Sequence, residues 1–299
     1  MYKITQKRNI WFIISAIVII PGVVALCMGG LKFGIDFTGG SLIQIDFPSN
    51  RPAPDTISQS IKDLNLGEVT IQPSGEKTIA IRLKSIDQEM YQKILDTIKL
   101  QNPDATEVSF DTIGPTFGRE LRNKAISGTV MVLIFILLYI MFAFRKTSFG
   151  VVKSWVFGTG AIIALMHDIL FVVGFFAILG KFWHVEINTL FITALLTVLG
   201  FSVHDTIVVY DRIREHLKIS YNKLFVDIVN ESINQTLVRS LNTTLTTLLV
   251  LLALYLFGGQ SIQYFVLALL IGITAGTYSS IFIASPLLVV WHNFASKRK

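Results

Sequence analysis

A single cysteine, Cys27, stands in the whole chain, so no disulfide framework can be drawn within it. That lone thiol and five scattered histidines also leave no cluster with metal-ligand spacing, and no metal site is expected. Charge is scarce: 15% of the 299 residues are charged against 52% hydrophobic. A soluble domain of this length carries more charge, so composition points to an integral membrane protein. The net charge of +6 would invite nucleic acid as a partner in a soluble protein. In a chain this apolar the placement of Lys and Arg relative to the apolar runs bears on membrane orientation, so the expected surroundings are membrane lipid and no nucleic acid.

Six apolar segments meet the length of a transmembrane helix: 10–30, 126–144, 156–179, 187–209, 237–257 and 262–290. The first follows Lys3, Lys7 and Arg8, as a secretory signal would. It is longer than the roughly 7–15 residues of a signal's apolar region, and "VALCMGG" offers no cleavage pattern, so a retained span is expected. Pro286 predicts a bend late in the sixth span. Basic residues cluster at Lys3, Lys7 and Arg8, at Arg145, Lys146 and Lys153, at Arg212, Arg214, Lys218 and Lys223, and at Lys297, Arg298 and Lys299. In a six-span zigzag all four clusters fall on one side, which predicts that both termini are cytoplasmic.

Three regions follow: 1–31 with the first span, 32–124 as an external domain, and 125–299 with spans two to six. The external segment alternates "SLIQIDF", a helical stretch with Ile57, Ile61 and Leu64, two strand-like runs around Ser74-Gly75-Glu76, a second helix with Met90, Ile94, Leu95 and Ile98, and "TEVSFDTI". Strand–helix–strand–strand–helix–strand is the order of an α+β, ferredoxin-like unit, which declares no function. Between spans four and five, 212–235 is polar, with Leu224, Phe225, Ile228 and Val229 on one face; a separate interfacial helix is expected there.

The fourth span carries charge where lipid would not tolerate it. In "VLGFSVHDTIVVYDRIRE", Asp205 lies about 9 Å deeper than Asp211 along a helix rising 1.5 Å per residue. An ionised Asp near a span centre costs about 2.5–3.5 kcal/mol, so a partner or a bound proton is expected. Arg239 opens span five, with Asn242, Thr243, Thr246 and Thr247 at steps of three and four behind it on one helix face. Antiparallel packing would bring Asp205 and Arg239 to similar depth, and making or breaking their contact would release or bind a proton. Thr189, Thr193 and Thr197 form a slanting stripe leading to the acid. Asp168 beside His167 is a second buried acid, either functional or a hydrogen-bonded brace, and His204 points about 100° from Asp205. Gly272, Gly276, Ser280 and Ala284 at four-residue intervals predict close packing of span six against a neighbour. Gly34, Gly39 and Gly40 flank Asp36 where the chain leaves the membrane; they predict unusual backbone or close approach, with Asp36 bracing the junction.

Four stretches together resemble one family: "FGIDFTGGSLIQIDF", "IGPTFGRELRNKA", "GFSVHDTIVVYDRIRE" and "NQTLVRSLNTTLTTLL". They are similar to the SecF side of the SecD/SecF family, and the likeness runs from the first span to the last. The resemblance implies half of an RND-type bundle in the bacterial cytoplasmic membrane. It implies work with SecD beside the SecYEG channel, with YajC and YidC as further partners, on an unfolded polypeptide in transit. It implies drive by the proton-motive force, with protons as coupling ion and no cofactor. Asp205 then matches the family's transmembrane acid and Arg239 its basic partner. The position before that acid is commonly Asn in the family, and here it is His204. Two other readings are weighed. An intramembrane aspartyl protease using Asp168 and Asp205 lacks that class's GxGD, and a small-molecule exporter of the RND type would need a second six-span half. The chain is expected to be no enzyme.

Overall fold

The computed structural model describes residues 2–145, 153–219 and 223–296. Lys146, Lys297, Arg298 and Lys299 of the basic clusters lie outside the described residues. The chain divides into two units, Met1–Lys32 with Ser127–Lys299, and Phe33–Ile126.

The membrane unit is built from six long apolar helices: Thr5–Cys27, Pro115–Ala143, Ser154–Trp183, Thr189–Ile219, Phe225–Phe257 and Gln263–Ser296. They are called spans one to six; the second begins within the other unit. Their outer surfaces expose Leu, Ile, Val and Phe, as a lipid-facing bundle must. The chain is therefore a multi-pass membrane protein. Its core gathers at one end of the bundle, where Phe144 stacks on Phe157 at 5.4 Å and Tyr210 meets Phe157 edge-on at 5.2 Å.

Spans four and six run in register. A Cβ on Gly272 would fall 2.3 Å from Val198 Cγ2, and one on Gly276 would fall 2.8 Å from Ser202 Cβ. One turn on, Thr206 Oγ1 lies 2.8 Å from Ser280 Oγ, and one further, Tyr210 donates to the Ala284 carbonyl at 3.1 Å. Small residues every four positions let the helices approach closely enough for these bonds. The neighbour that the small-residue spacing predicts is thus span four. Span six widens into a π-helical turn over Ser280–Ala284 and then continues through Pro286. A proline lacks the N–H that its preceding turn would use, and the wider turn absorbs that mismatch.

The separate interfacial helix expected over 212–235 is absent from the described residues. Span four continues unbroken to Ile219, and span five already begins at Phe225. No Pro or Gly interrupts either helix there, and Ile228 and Val229 are buried in the bundle core instead of facing lipid.

In the second unit, β1 (Gly40–Asp46), α1 (Pro54–Ser60), β2 (Thr70–Ser74), β3 (Thr78–Leu83), α2 (Gln88–Gln101) and β4 (Thr106–Ile113) follow in chain order. The sheet order is β2-β3-β1-β4, antiparallel throughout. Alternation explains it: Ile43, Ile45, Ile79 and Ile81 face the helices, fully buried with Ile57, Ile94 and Ile98. Asp87 caps α2 by accepting from the Met90 amide at 2.9 Å, the local reason that helix starts there.

Gly39 and Gly40 adopt φ of +76° and +125°, a region closed to most side chains, and a Cβ on Gly39 would fall 2.6 Å from Pro115 Cα. Gly34 differs from the expectation. Its φ of −71° and ψ of 176° suit any residue, because the turn that follows is right-handed. Asp36 sits in the first turn of that short helix, Ile35–Thr38.

Candidate functional site: two acids within the bundle

Asp168, on span three, is fully buried. Its Oδ2 accepts from Ser202 Oγ of span four at 2.6 Å and from Ser279 Oγ of span six at 2.8 Å. Its Oδ1 lies 3.0 Å from His167 Nδ1. The carboxyl group therefore pins three helices at one point. These bonds supply the bracing contacts of one of the two readings open for Asp168.

Asp205 lies three residues beyond Ser202, one turn along the same buried face, and is 8% exposed. Its Oδ1 accepts from Ser240 Oγ of span five at 2.5 Å. Its Oδ2 is buried without a hydrogen-bond partner among the described residues. The acid borders a narrow cleft shared with Phe201, His204, Arg239, Thr243 and Thr244. Arg239 thus reaches the same cleft as Asp205, but no ion pair within 4.0 Å joins them among the described residues. The direct contact is one residue away, at Ser240.

That single step rotates the polar stripe of span five. The face proposed from the sequence, Arg239, Asn242, Thr243 and Thr246, is exposed, and Thr247 is half-buried. The buried polar face is Thr236, Ser240 and Thr244, with Thr244 Oγ1 2.6 Å from Thr277 Oγ1 of span six. The exposed threonines turn their hydroxyls back onto their own helix, as Thr243 does on the Arg239 carbonyl at 3.0 Å and Thr246 on that of Asn242. On span four, Thr189, Thr193, Thr197 and His204 are exposed as well. Ser280, expected only to pack, belongs to the polar cluster through Thr206. Ser240 and Ser279 went unnoticed in the sequence, where a serine at helical spacing carries no mark of its partner.

Residues 93–294 match the family model described as protein export membrane protein SecD/SecF, C-terminal. Residues 24–47, which hold Gly39 and Gly40, match the SecD/SecF GG motif. The protein translocase subunit SecF of Thermobaculum terrenum is 46% identical, with 98% of this chain and 95% of the relative covered. That of Anaerolinea thermophila is 41% identical over the same shares of each chain. The chain belongs to the SecF family. Among solved structures, the crystal structure of SecDF from Thermus thermophilus, a translocon-associated membrane protein, is 33% identical with a TM-score of 0.85. The match covers 98% of this chain but only 39% of that one, so this chain spans well under half the length of the solved relative. A second SecDF structure, in a super-membrane-facing form, is 32% identical with a TM-score of 0.71 and the same 39% coverage.

Proposed function

We propose that the chain is an auxiliary subunit of the Sec protein-export machinery, acting without covalent chemistry and driven by proton movement at Asp205. The observation that carries this reading is an acid 8% exposed inside a lipid-facing bundle, bonded to Ser240, beside a cleft that also holds Arg239. Intramembrane acids of this kind mark ion and proton paths. Protons are the coupling ion, and no cofactor is involved. Asp168, engaged by two serines and His167, does not form the paired-carboxylate site that a protease reading needs.

The partner is SecD. Polar side chains directed at lipid are costly, and Thr193, Thr197 and His204 on span four join Arg239, Asn242 and Thr246 on span five in an exposed polar face. A second six-span subunit would cover that face, consistent with a solved relative more than twice as long as this chain. SecYEG, with YajC and YidC, completes the assembly that handles the unfolded polypeptide. Both termini are cytoplasmic in the bacterial inner membrane.

Magnitudes bear on the drive. One charge crossing 100 mV is worth about 2.3 kcal/mol, while moving a population from 1:99 to 99:1 takes about 5.5 kcal/mol. One proton at modest potential shifts the bundle only in part, so further protons or the partner's own site must contribute. The test is proton-gradient-dependent secretion in membranes carrying Asp205→Asn. Its loss is expected, and full retention would sink the coupling role.

A further inference from the structure

A groove of about 850 Å³ opens on the bundle surface between spans one, five and six. Its walls are apolar: Trp11, Leu241, Leu245, Leu248, Ile281 and Phe282. Leu245, Leu248 and Thr274 also line a second recess that continues to Leu252 and Leu270. From Leu237 to Leu252 this path runs about 22 Å along span five at 1.5 Å per residue, most of a hydrocarbon core about 30 Å thick.

The polar groups within it are already engaged. Thr244 and Thr277 bond each other at 2.6 Å, and the Tyr278 hydroxyl donates to the Trp11 carbonyl at 2.9 Å and accepts from Ser15. Nothing in the depth of the groove asks for a polar ligand. Charge stands at one end only, where Lys3 and Lys7 border the mouth. Neither lysine is in an ion pair among the described residues.

Those lysines are held there by a built strap. Asn230 Oδ1 accepts from the Ile4 amide at 2.9 Å and the Thr5 amide at 3.3 Å, while its Nδ2 donates to the Tyr2 carbonyl at 2.9 Å. Asn234 binds both the amide and the carbonyl of Tyr2, and Trp11 Nε1 donates to the Ile4 carbonyl. An untethered N-terminal segment would fray, and this one is fixed across the groove mouth.

From the apolar length, the single charged end and the strap, we infer that this groove is a binding site for an anionic phospholipid. An acyl chain lies along span five, and the phosphate meets Lys3 and Lys7. The occupant differs from that of the polar face on spans four and five, which suits a protein. The inference rests on the membrane-spanning fold alone and stands whether or not Asp205 couples protons.

The test uses the full chain with Trp155→Phe, Trp183→Phe and Trp291→Phe, so that Trp11 is the sole reporter. It is reconstituted in phosphatidylcholine membranes with increasing brominated phosphatidylglycerol or brominated phosphatidylcholine. Trp11 quenching should saturate at a lower fraction of the anionic lipid. Lys3→Gln with Lys7→Gln should erode that preference by about fivefold per charge, while Lys3→Arg with Lys7→Arg keeps it. Lys218→Gln, at the same end of the bundle, should leave it unchanged. Equal quenching by both lipids, or a preference indifferent to the two glutamines, overturns the proposal. Trp11 shielded from every brominated lipid overturns it too, because a polypeptide then fills the groove.

Discussion

Ser240 donates a hydrogen bond to Asp205 Oδ1 at 2.5 Å, whereas its neighbour Arg239 is exposed and reaches only the shared cleft. A hydroxyl therefore makes the direct contact to Oδ1, and the cation borders the same cleft without an ion pair. Ser240→Ala removes the hydroxyl that Asp205 Oδ1 accepts from and should lower proton-gradient-dependent secretion severalfold, while Ser240→Thr should keep most of it. Secretion into sealed vesicles, with and without an uncoupler, measures both. An alanine variant as active as the parent would mean that the hydroxyl does not position the acid.

Asp168 joins spans three, four and six through its hydrogen bonds to Ser202 and Ser279. Asp168→Ala would leave the Ser202 hydroxyl buried without its acceptor, whereas Ser279 keeps a second one in the Gly276 carbonyl at 3.1 Å. A buried polar group without a partner costs about 1–3 kcal/mol. Thermal unfolding in detergent should therefore shift down for Asp168→Ala, and less for Asp168→Asn, which retains an acceptor oxygen.

The contact between spans four and six offers a sharper comparison. Gly272→Ala drives a methyl into the two γ-carbons of Val198, and overpacking of this kind costs about 1–3 kcal/mol. Val198→Ala removes those carbons and should partly restore the unfolding temperature. Gly276→Ala meets Ser202 Cβ at 2.8 Å and should not respond to Val198→Ala.

The exposed polar face predicts a labelling pattern. Cys27→Ser clears the chain's single thiol, and Thr197→Cys or Asn242→Cys then reports on that face. Each thiol should react with a maleimide when the chain is alone and become protected when SecD is co-expressed. Undiminished labelling would leave the face to another partner.

Much of this architecture was legible in the sequence. Period-two alternation in "SLIQIDF" and "KTIAIRL" marks strands because one sheet face is buried against helices, and the structure pairs Ile43 with Ile81 across that face. The six spans were legible from apolar length alone. Which side of span five faces inward was not. "RSLNTTLTT" carries two overlapping polar stripes, one through Arg239 and Thr243 and one through Ser240 and Thr244, and both keep helical spacing. A charge drew attention to the first, while burial selects the second. The end of span four was misread for a related reason. The polar ends of two long helices and a separate interfacial helix have the same composition, and only the packing of Ile228 and Val229 into the core separates them.

Val198 meets Gly272, Ser202 meets Gly276, Thr206 meets Ser280 and Tyr210 meets Ala284, so two parallel helices mesh like racks with teeth at a four-residue pitch. Sliding one tooth along would set Thr206 against Ala284 and Tyr210 against Leu288, taking from Thr206 the hydroxyl of Ser280. The same slip would set Ser202 against Ser280, where no glycine leaves room for it. Asp205 stands beside this mesh and accepts from Ser240 of span five, so one stretch of span four holds both of its neighbours.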